Sequence, residues 1–258
     1  FKGVVINMEK KVIRVGSVGV GAIWGGVHEP GIAKSPDLTL VAICDIDEKK
    51  LEAVGEKYGI PQQYRFTDYR DLVNCDIVDA VDICPSNAAH FKVAMAAVEA
   101  GKPFNLEKPI TLTAEEADIL AKAAQEKNVK NMVCFSYRFK AAARYAKDLI
   151  AQGKIGRVYH VNMQYFQAWG LPRANCPLVW RYVKSRTGTG ALGDLGSHAL
   201  DLVRFVTNKE YTRVVGHTGT YVHERPLLDG EGVGKVDVDD FSNYMADMED
   251  EISVSFQI

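Results

Sequence analysis

The first half of the chain alternates between strand-like and helix-like stretches. Apolar, strand-like runs are predicted at Val12–Val18, Leu38–Cys44, Ile77–Cys84, Pro103–Leu106 and Val129–Phe135. Helix-like segments separate them, and one of these, Ala88–Ala100, is followed by Gly101, a common helix terminator. Strands that alternate with helices form a parallel sheet covered by helices. The pattern therefore predicts a doubly wound α/β domain.

The second half of the chain has a different pattern. Polar and apolar residues alternate over Val158–Trp169, Tyr211–Val222 and Glu251–Ile258, which is typical of strands with one buried face and one solvated or interface-forming face. A helix is expected to begin near Asp194, between these strands. We therefore predict an α/β domain at 8–136, followed at 137–258 by an α+β domain with a largely antiparallel open sheet.

Both ends of the chain carry an expectation. Met8 begins a stretch that is typical of a natural start, so Phe1–Asn7 is expected to be an added leader. The last strand-like segment stops abruptly at Ile258, and further residues are expected beyond it.

Composition excludes several classes of protein. The 258 residues are 47% hydrophobic and 25% charged, ordinary values for a globular protein with a substantial core. A net charge of -2 gives no reason to expect nucleic acid or an anionic membrane as partner. No apolar run approaches the roughly 18 residues that span a bilayer. The five cysteines have no CxxC spacing, and four of them lie in or near apolar runs, where they are interpreted as small buried hydrophobes in a reducing cytoplasm.

A glycine turn follows the first predicted strand. Gly19 permits a tight turn, and Gly21 lets a pyrophosphate approach the backbone at the start of a helix. The third position of the GxGxxG pattern is Trp24, so the helix is expected to pack differently against the sheet, with Gly25 supplying space. This context makes the first domain a candidate Rossmann-type dinucleotide-binding domain.

Asp45 strengthens the nucleotide hypothesis. It ends the second strand, where an acidic side chain can bind both ribose hydroxyls. A 2′-phosphate would be repelled by this carboxylate, and no arginine follows it immediately, which favours NAD over NADP as the cofactor. The alternative is that Asp45 caps the next helix, although Asp47 is better placed for that role.

Three residues supply the chemistry for moving a proton on and off an alcohol. Lys108 follows a short strand and precedes a proline, while Asp194 and His198 lie four residues apart on one helix face. Neighbouring residues of an extended strand point to opposite sides, so Lys108 and Glu107 are not expected to pair. Asp194 or Asp201 can orient the His198 ring. Two ligands on one helix without a third His/Cys group are insufficient for zinc, and we predict no metal.

These segments carry a family resemblance. The glycine turn, Ala100-Gly101-Lys102 leading to Glu107-Lys108-Pro109, and Gly193-Asp194-Leu195-Gly196-Ser197-His198 resemble, in this order, the Gfo/Idh/MocA oxidoreductases. The chain is most similar to the inositol dehydrogenase-like members. The resemblance implies that His198 and Lys108 form the acid/base pair, that Asp194 holds substrate hydroxyls, and that the bond before Pro109 is cis. It also implies homodimers or homotetramers built on the C-terminal sheet.

Several further residues are candidates for binding. Asn87 is open to two interpretations, a contact to the nicotinamide ribose or a helix cap. Arg138 either contacts the cofactor or substrate or is a solvated or ion-paired arginine. The predicted cofactor-binding residues are Gly19, Gly21, Ala22, Ile23, Asp45, Pro85, Asn87, Glu107, Lys108 and Arg138. The predicted substrate-binding residues are Lys108, Tyr165, Trp169, Arg181, Asp194 and His198.

The sequence thus predicts a cytoplasmic NAD-dependent dehydrogenase acting on a CH–OH group of a cyclitol or sugar, with the polyol as its small-molecule partner. Two alternatives stay open. One is an NAD-dependent glycosidase of the same family, which would release sugar without accumulating NADH. The other is a non-catalytic NAD or sugar sensor, which would bind cofactor without turnover.

Overall fold

The structure is a computed structural model that describes residues 12–258, so the expected start at Met8 lies outside the described residues. The chain divides into two compact units. The first contains the described residues up to Pro85 together with Ala89–Glu107 and Glu115–Val133. The second contains Ser86–Ala88, Lys108–Ala114 and Cys134–Ile258. Lys108 therefore belongs to the same unit as Asp194 and His198.

The first unit is built on a six-stranded parallel sheet with strand order β3-β2-β1-β4-β5-β6. Its strands are β1 (Ile13–Val18), β2 (Leu38–Cys44), β3 (Arg65–Phe66), β4 (Ala80–Ile83), β5 (Phe104–Leu106) and β6 (Asn131–Val133). Strands β1 to β3 extend the sheet to one side and strands β4 to β6 extend it to the other, as in doubly wound nucleotide-binding folds. The prediction of a Rossmann-type α/β domain is confirmed.

Helices connect these strands. They are α1 (Glu29–Lys34), α2 (Glu48–Tyr58), α3 (Tyr69–Val73), α4 (Asn87–Glu99) and α5 (Ala114–Glu126). The ends of α2 show why it forms where it does. The Asp47 carboxylate accepts from the Lys50 amide at the first turn, and Gly59 ends the helix at φ 66°, a conformation that only glycine adopts at no steric cost.

Trp24 lies in the core of the first unit. A π-helical turn, Trp24–His28, precedes α1, and the Trp24 side chain is only 2% exposed. Its ring meets Tyr58 edge to face at 5.7 Å, within a cluster that also contains Ile43 and Leu51. The sequence therefore accommodates the bulky residue at the third glycine position by widening the helix start and burying the indole.

The second unit contains a mixed sheet with strand order β7-β12-β11-β8 and a separate ribbon, β9–β10. Its strands are β7 (His160–Gln164), β8 (Tyr211–Gly219), β9 (Glu224–Pro226), β10 (Val233–Lys235), β11 (Phe241–Met248) and β12 (Ser253–Gln257). Only the β7–β12 pair of the larger sheet is parallel. The predicted, largely antiparallel character is thus correct, with one parallel edge.

One face of this sheet is covered by a helix. The helices of the second unit are α6 (Ala141–Ala151), α7 (Lys184–Thr187) and α8 (Ser197–Thr207). Ala199 and Val203 of α8 are fully or almost fully buried in a cluster with Tyr244, Val254 and Phe256 from the sheet. A second π-helical turn, Leu192–Gly196, leads into α8 and carries Asp194. The apolar face of α8 therefore sets the position of the residues at its start.

The structure corrects some details of the sequence analysis. The predicted strand Val158–Trp169 is limited to His160–Gln164. Of the five cysteines, all within the described range, Cys44 and Cys84 are buried and the other three only partly so, and none is in a disulfide. The interpretation of four of them as buried hydrophobes is therefore correct for two, Cys44 and Cys84. Among residues 12–258, no helix has the length and apolar character needed to cross a membrane.

Phe256→Ala should destabilise the second unit. The phenyl ring is 1% exposed and stacks on Tyr244 at 4.4 Å, so truncation leaves a cavity that typically costs about 3–5 kcal/mol. Urea unfolding measures the loss. Ile155→Ala, at an exposed position, serves as control and should change the free energy of unfolding by less than about 0.5 kcal/mol. Equal losses in the two variants would contradict the assignment of this core.

Candidate active site

Lys108 and Asp194 form a close ion pair. The Lys108 Nζ donates to Asp194 Oδ1 at 2.6 Å and to its main-chain oxygen at 3.0 Å. Both side chains are largely buried, and the Arg181 Nε lies 3.7 Å from the other Asp194 oxygen. The Lys108–Pro109 bond is cis, as the resemblance implies. Glu107, which follows β5, meets His28 at 3.0 Å.

His198 is the second residue of α8 and is buried. The Tyr137 ring stacks on its imidazole with centroids 4.5 Å apart and planes 24° apart. Phe135 and Tyr165 meet it edge-on at 6.1 and 6.5 Å. Asp201, considered as a partner for the imidazole, is ion-paired with Arg138, and Asp194 holds Lys108. Aromatic rings thus pack against both the face and the edges of the imidazole.

Tyr137 is a residue of the site that no sequence pattern indicates. Its hydroxyl is hydrogen-bonded to that of Tyr165, and burial, this hydrogen bond and the negative charge of Asp194 raise the pKa of Tyr137 to about 12. Tyr137 therefore stays a neutral phenol at physiological pH. The residue lies in a short 3₁₀ turn, Ser136–Phe139, where no periodicity marks a side chain as facing a site.

A cavity of about 260 Å³ opens beside the Asp194 carboxylate. The predicted substrate residues Trp169 and Arg181 line it, together with residues of the turn before α8 and of the segments around β9. Its walls are mostly apolar, with a few charged groups that include Arg225 and Asp239. Such a lining suits a small ring with hydroxyls on its rim, since apolar and aromatic surfaces pack against C–H groups while a few polar groups fix orientation.

The glycine turn has the geometry of a nucleotide cradle. Gly19 has φ 84°, and a Cβ there would lie 2.5 Å from the backbone of Pro85, so no other residue fits. A Cβ on Gly21 would meet nothing within 4 Å, which leaves the backbone open to a ligand at the start of a helix. Ala22 and Ile23, the next predicted cofactor residues, are exposed. These residues fit a bound pyrophosphate.

Asp45 lies beside this turn. One carboxylate oxygen accepts from the Val20 amide at 3.0 Å, and the other accepts from the Asp47 amide at 3.0 Å and from Lys50 Nζ at 3.4 Å. Asp47, and not Asp45, caps α2, as expected. The bond to Val20 ties the end of β2 to the glycine turn, and the carboxylate retains acceptor capacity for a ribose hydroxyl.

Three predicted cofactor residues are engaged within the protein. The Asn87 amide donates to the main-chain oxygen and hydroxyl of Thr187 at 3.0 and 3.2 Å. Arg138 forms a bidentate pair with Asp201. The Glu107 carboxylate meets His28 Nε2 at 3.0 Å in the first unit.

His28 is a buried cation that the sequence did not reveal. Its Nδ1 lies 2.8 Å from Asp82 and its Nε2 3.0 Å from Glu107, at the ends of β4 and β5. Burial alone would lower the pKa of His28, but hydrogen bonds to Asp82, Cys84 and Glu107 outweigh it and raise the pKa far above the usual value. The partners are 54 and 79 residues away along the chain, so no local pattern links them.

Comparison with known proteins agrees with this geometry. Residues 13–135 match the model of the oxidoreductase family with an NAD-binding Rossmann fold, and residues 143–258 match the Gfo/Idh/MocA C-terminal domain. The chain belongs to the Gfo/Idh/MocA family. The prediction of an oxidoreductase-family protein with NAD as its cofactor is confirmed at the level of this family.

Several Gfo/Idh/MocA members are similar over most of the chain. Levoglucosan dehydrogenase of Pseudarthrobacter phenanthrenivorans is 33% identical over 88% of this chain and 62% of its own length. Inositol 2-dehydrogenase of Salmonella typhimurium is 31% identical over 78% of this chain and 56% of its own. A levoglucosan dehydrogenase structure in complex with NADH superposes with a TM-score of 0.88 at 32% identity, covering 96% of this chain and 66% of that one. The chain thus spans about 60% of the length of these two curated relatives.

The His28 imidazole should stay protonated across the physiological range. Its folded-state pKa is raised above the unfolded value of about 6.5, so its contribution to stability is fully present below that pH and is lost only as the pH rises through the folded-state value. The His28 ring signals in an NMR titration should therefore stay constant between about pH 5.5 and 8.5. His28→Gln assigns the signal, and titration of the folded-state signal near pH 6.5 would show the prediction to be wrong.

Proposed function

We propose that this chain carries the active site of an NAD-dependent dehydrogenase that oxidises a secondary alcohol of a cyclic polyol, either a sugar or a cyclitol. The observation that carries the proposal is the partly buried Lys108–Asp194 ion pair at the start of α8, on the helix that also presents His198. A cation held by a carboxylate can stabilise a developing negative charge, and an imidazole on the same helix can transfer a proton. A sensor has no chemical need for all three groups.

The cavity supports a ring-shaped substrate. Trp169 is 41% exposed and lines the cavity, which gives a sugar or cyclitol ring an aromatic surface to pack against. Asp194 and Arg181 lie on the same wall and can bind hydroxyl groups. Relatives named for levoglucosan and for inositol both act on rings of this kind, which supports the class but does not choose between its members.

Each residue has a role in the proposed reaction. His198 accepts the alcohol proton, and the Lys108 ammonium stabilises the developing alkoxide oxygen. Asp194 holds Lys108 in place and accepts a hydrogen bond from the neighbouring substrate hydroxyl, which fixes the carbon to be oxidised. NAD, when bound, supplies the hydride acceptor.

The first unit provides suitable groups for that cofactor. Gly19 and Gly21 leave room for the pyrophosphate, and the Asp45 carboxylate favours a ribose with both hydroxyls over one with a 2′-phosphate. NAD is therefore preferred over NADP. Cytoplasmic localisation remains part of the proposal on the basis of composition alone.

The first experiment follows NADH absorbance when the purified protein is mixed with NAD and a panel of inositols, pyranoses and anhydrosugars. Accumulation of NADH with one ring class supports the dehydrogenase and identifies the class. Sugar release from a glycoside without accumulation of NADH would favour a glycosidase instead. Tight NAD binding without turnover of any polyol or glycoside would favour a sensor.

Lys108→Ala should lower kcat about 10²- to 10³-fold, because the charge that stabilises the alkoxide is removed, while the Kd for NAD changes much less. Turnover and isothermal titration with NAD measure the two effects. Lys102→Ala, a lysine bound to a main-chain oxygen in the first unit, is the matched control and should retain turnover. Unchanged turnover in Lys108→Ala would remove the basis of the assignment.

We also propose that copies of the chain associate through the open face of the second sheet, as homodimers or homotetramers. Met245 and Val215 are paired across β11 and β8 on this face, and both are more than 60% exposed. On β7 and β12 of the same sheet, the His160 side chain is hydrogen-bonded to Ser253 and the Gln164 side chain to Gln257. Apolar residues framed by polar ones are typical of interaction surfaces.

Met245→Glu should reduce the molecular mass in solution to that of a single chain, because it places a charge at the centre of the proposed interface. Light scattering coupled to size exclusion measures the mass. Ile119→Glu, at an exposed position in the first unit, should leave it unchanged. A wild-type protein that is already a single chain would contradict the proposal.

A further inference from the structure

A row of hydrogen bonds runs from the cavity wall to the ring that covers His198. The Trp169 indole N–H donates to Gln167 Oε1 at 2.5 Å, and the Gln167 Nε2 donates to the Tyr165 hydroxyl at 2.9 Å. The Tyr165 hydroxyl is bonded to that of Tyr137, whose ring stacks on the imidazole. All five residues belong to the second unit.

The direction of this row is fixed by its first member. An indole N–H can only donate, so Gln167 must present its oxygen to Trp169 and its amino group to Tyr165. The Tyr165 oxygen then acts as acceptor from Gln167. The Tyr165 hydroxyl proton is then available for the hydrogen bond to the Tyr137 hydroxyl. The orientation of Gln167 therefore depends on the nitrogen atom of Trp169 and not on the shape of the indole.

We propose that Tyr137 is a positioning residue for His198, and that Trp169, through Gln167 and Tyr165, holds Tyr137 against the imidazole. The inference rests on the proposed function, in which His198 accepts the substrate proton. The imidazole makes a face-to-face stack with Tyr137 and two edge contacts, so the angle of the Tyr137 ring sets the angle of the proton-accepting ring.

The same row couples substrate contact to catalytic geometry. Trp169 lines the cavity, so a ring that packs against the indole also restrains the group that anchors Gln167. Burial and the hydrogen bond to Tyr165 raise the pKa of Tyr137 to about 12, so Tyr137 stays a neutral phenol. It is a positioning residue that acts through His198.

Trp169→Phe separates the two roles of the indole, because it keeps an aromatic face toward the cavity and removes the N–H. We expect kcat to fall about three- to tenfold, the effect of one hydrogen bond, with KM for the polyol within about twofold. Tyr165→Phe and Tyr137→Phe should give falls of the same size. Tyr159→Phe, at an exposed tyrosine outside the row, should have no effect.

A double-mutant cycle tests whether the residues act as one unit. The double variant Trp169→Phe/Tyr137→Phe should lose no more kcat than the more impaired single variant, because breaking one bond already releases the ring. Losses that multiply would overturn the coupling. A rise in KM without a fall in kcat for Trp169→Phe would also overturn it, since the indole would then serve only to bind substrate.

An NMR measurement decides the inference independently of activity. The ring current of Tyr137 should shift the His198 Cε1–H resonance, which His198→Gln identifies among the signals of the six histidines. Trp169→Phe and Tyr165→Phe should both move this resonance, and Tyr159→Phe should not. An unmoved resonance in both row variants would refute the inference. If the wild type oxidises no polyol yet the resonance moves, the proposed function fails while the structural coupling stands.

Discussion

Burial of one face of α8 against the second sheet is the constraint on which the catalytic geometry depends. Ala199 and Val203 are fixed by close packing against Phe256 and its neighbours, and a helix is rigid over the few residues that separate them from His198. The polar residues Asp194, His198 and Asp201 are carried by this helix and by the turn before it. Apolar packing therefore determines where the groups of the proposed reaction lie, although none of the packed side chains takes part in that reaction.

Two adjacent residues illustrate how buried charge is distributed. Glu107 belongs to the first unit and neutralises His28, while Lys108 belongs to the second and is neutralised by Asp194. A buried ion is tolerated only when a partner is close and well oriented, so each charge requires its own counter-ion within its own unit. β5 ends at Leu106, and the boundary between the two units falls between these two adjacent residues.

Much of the fold could be predicted from the sequence where one physical signal dominates. The β-branched runs of β1 and β2 have no competing helical pattern, and the acidic residue at Asp47 marks the start of α2. β11 was missed, because serine, alanine and aspartate break its apolar alternation and have low strand propensity.

In the candidate site, Lys108, Asp194 and His198 could be found by residue type and order. Tyr137 and His28 could not, since their roles arise from partners far away along the chain.

The π-helical turn Leu192–Gly196 has a consequence for the evolution of this site. A π turn accommodates one residue more than an α turn, so it behaves as a single-residue insertion in a continuous helix. Deletion of one residue from the turn would convert it to a regular α-helical turn. Asp194 would then be rotated by about 100° around the helix axis relative to His198. The helix would remain intact and its packed face would be unaffected. The angular offset between carboxylate and imidazole is thus encoded in chain length, a property that substitutions alone do not change.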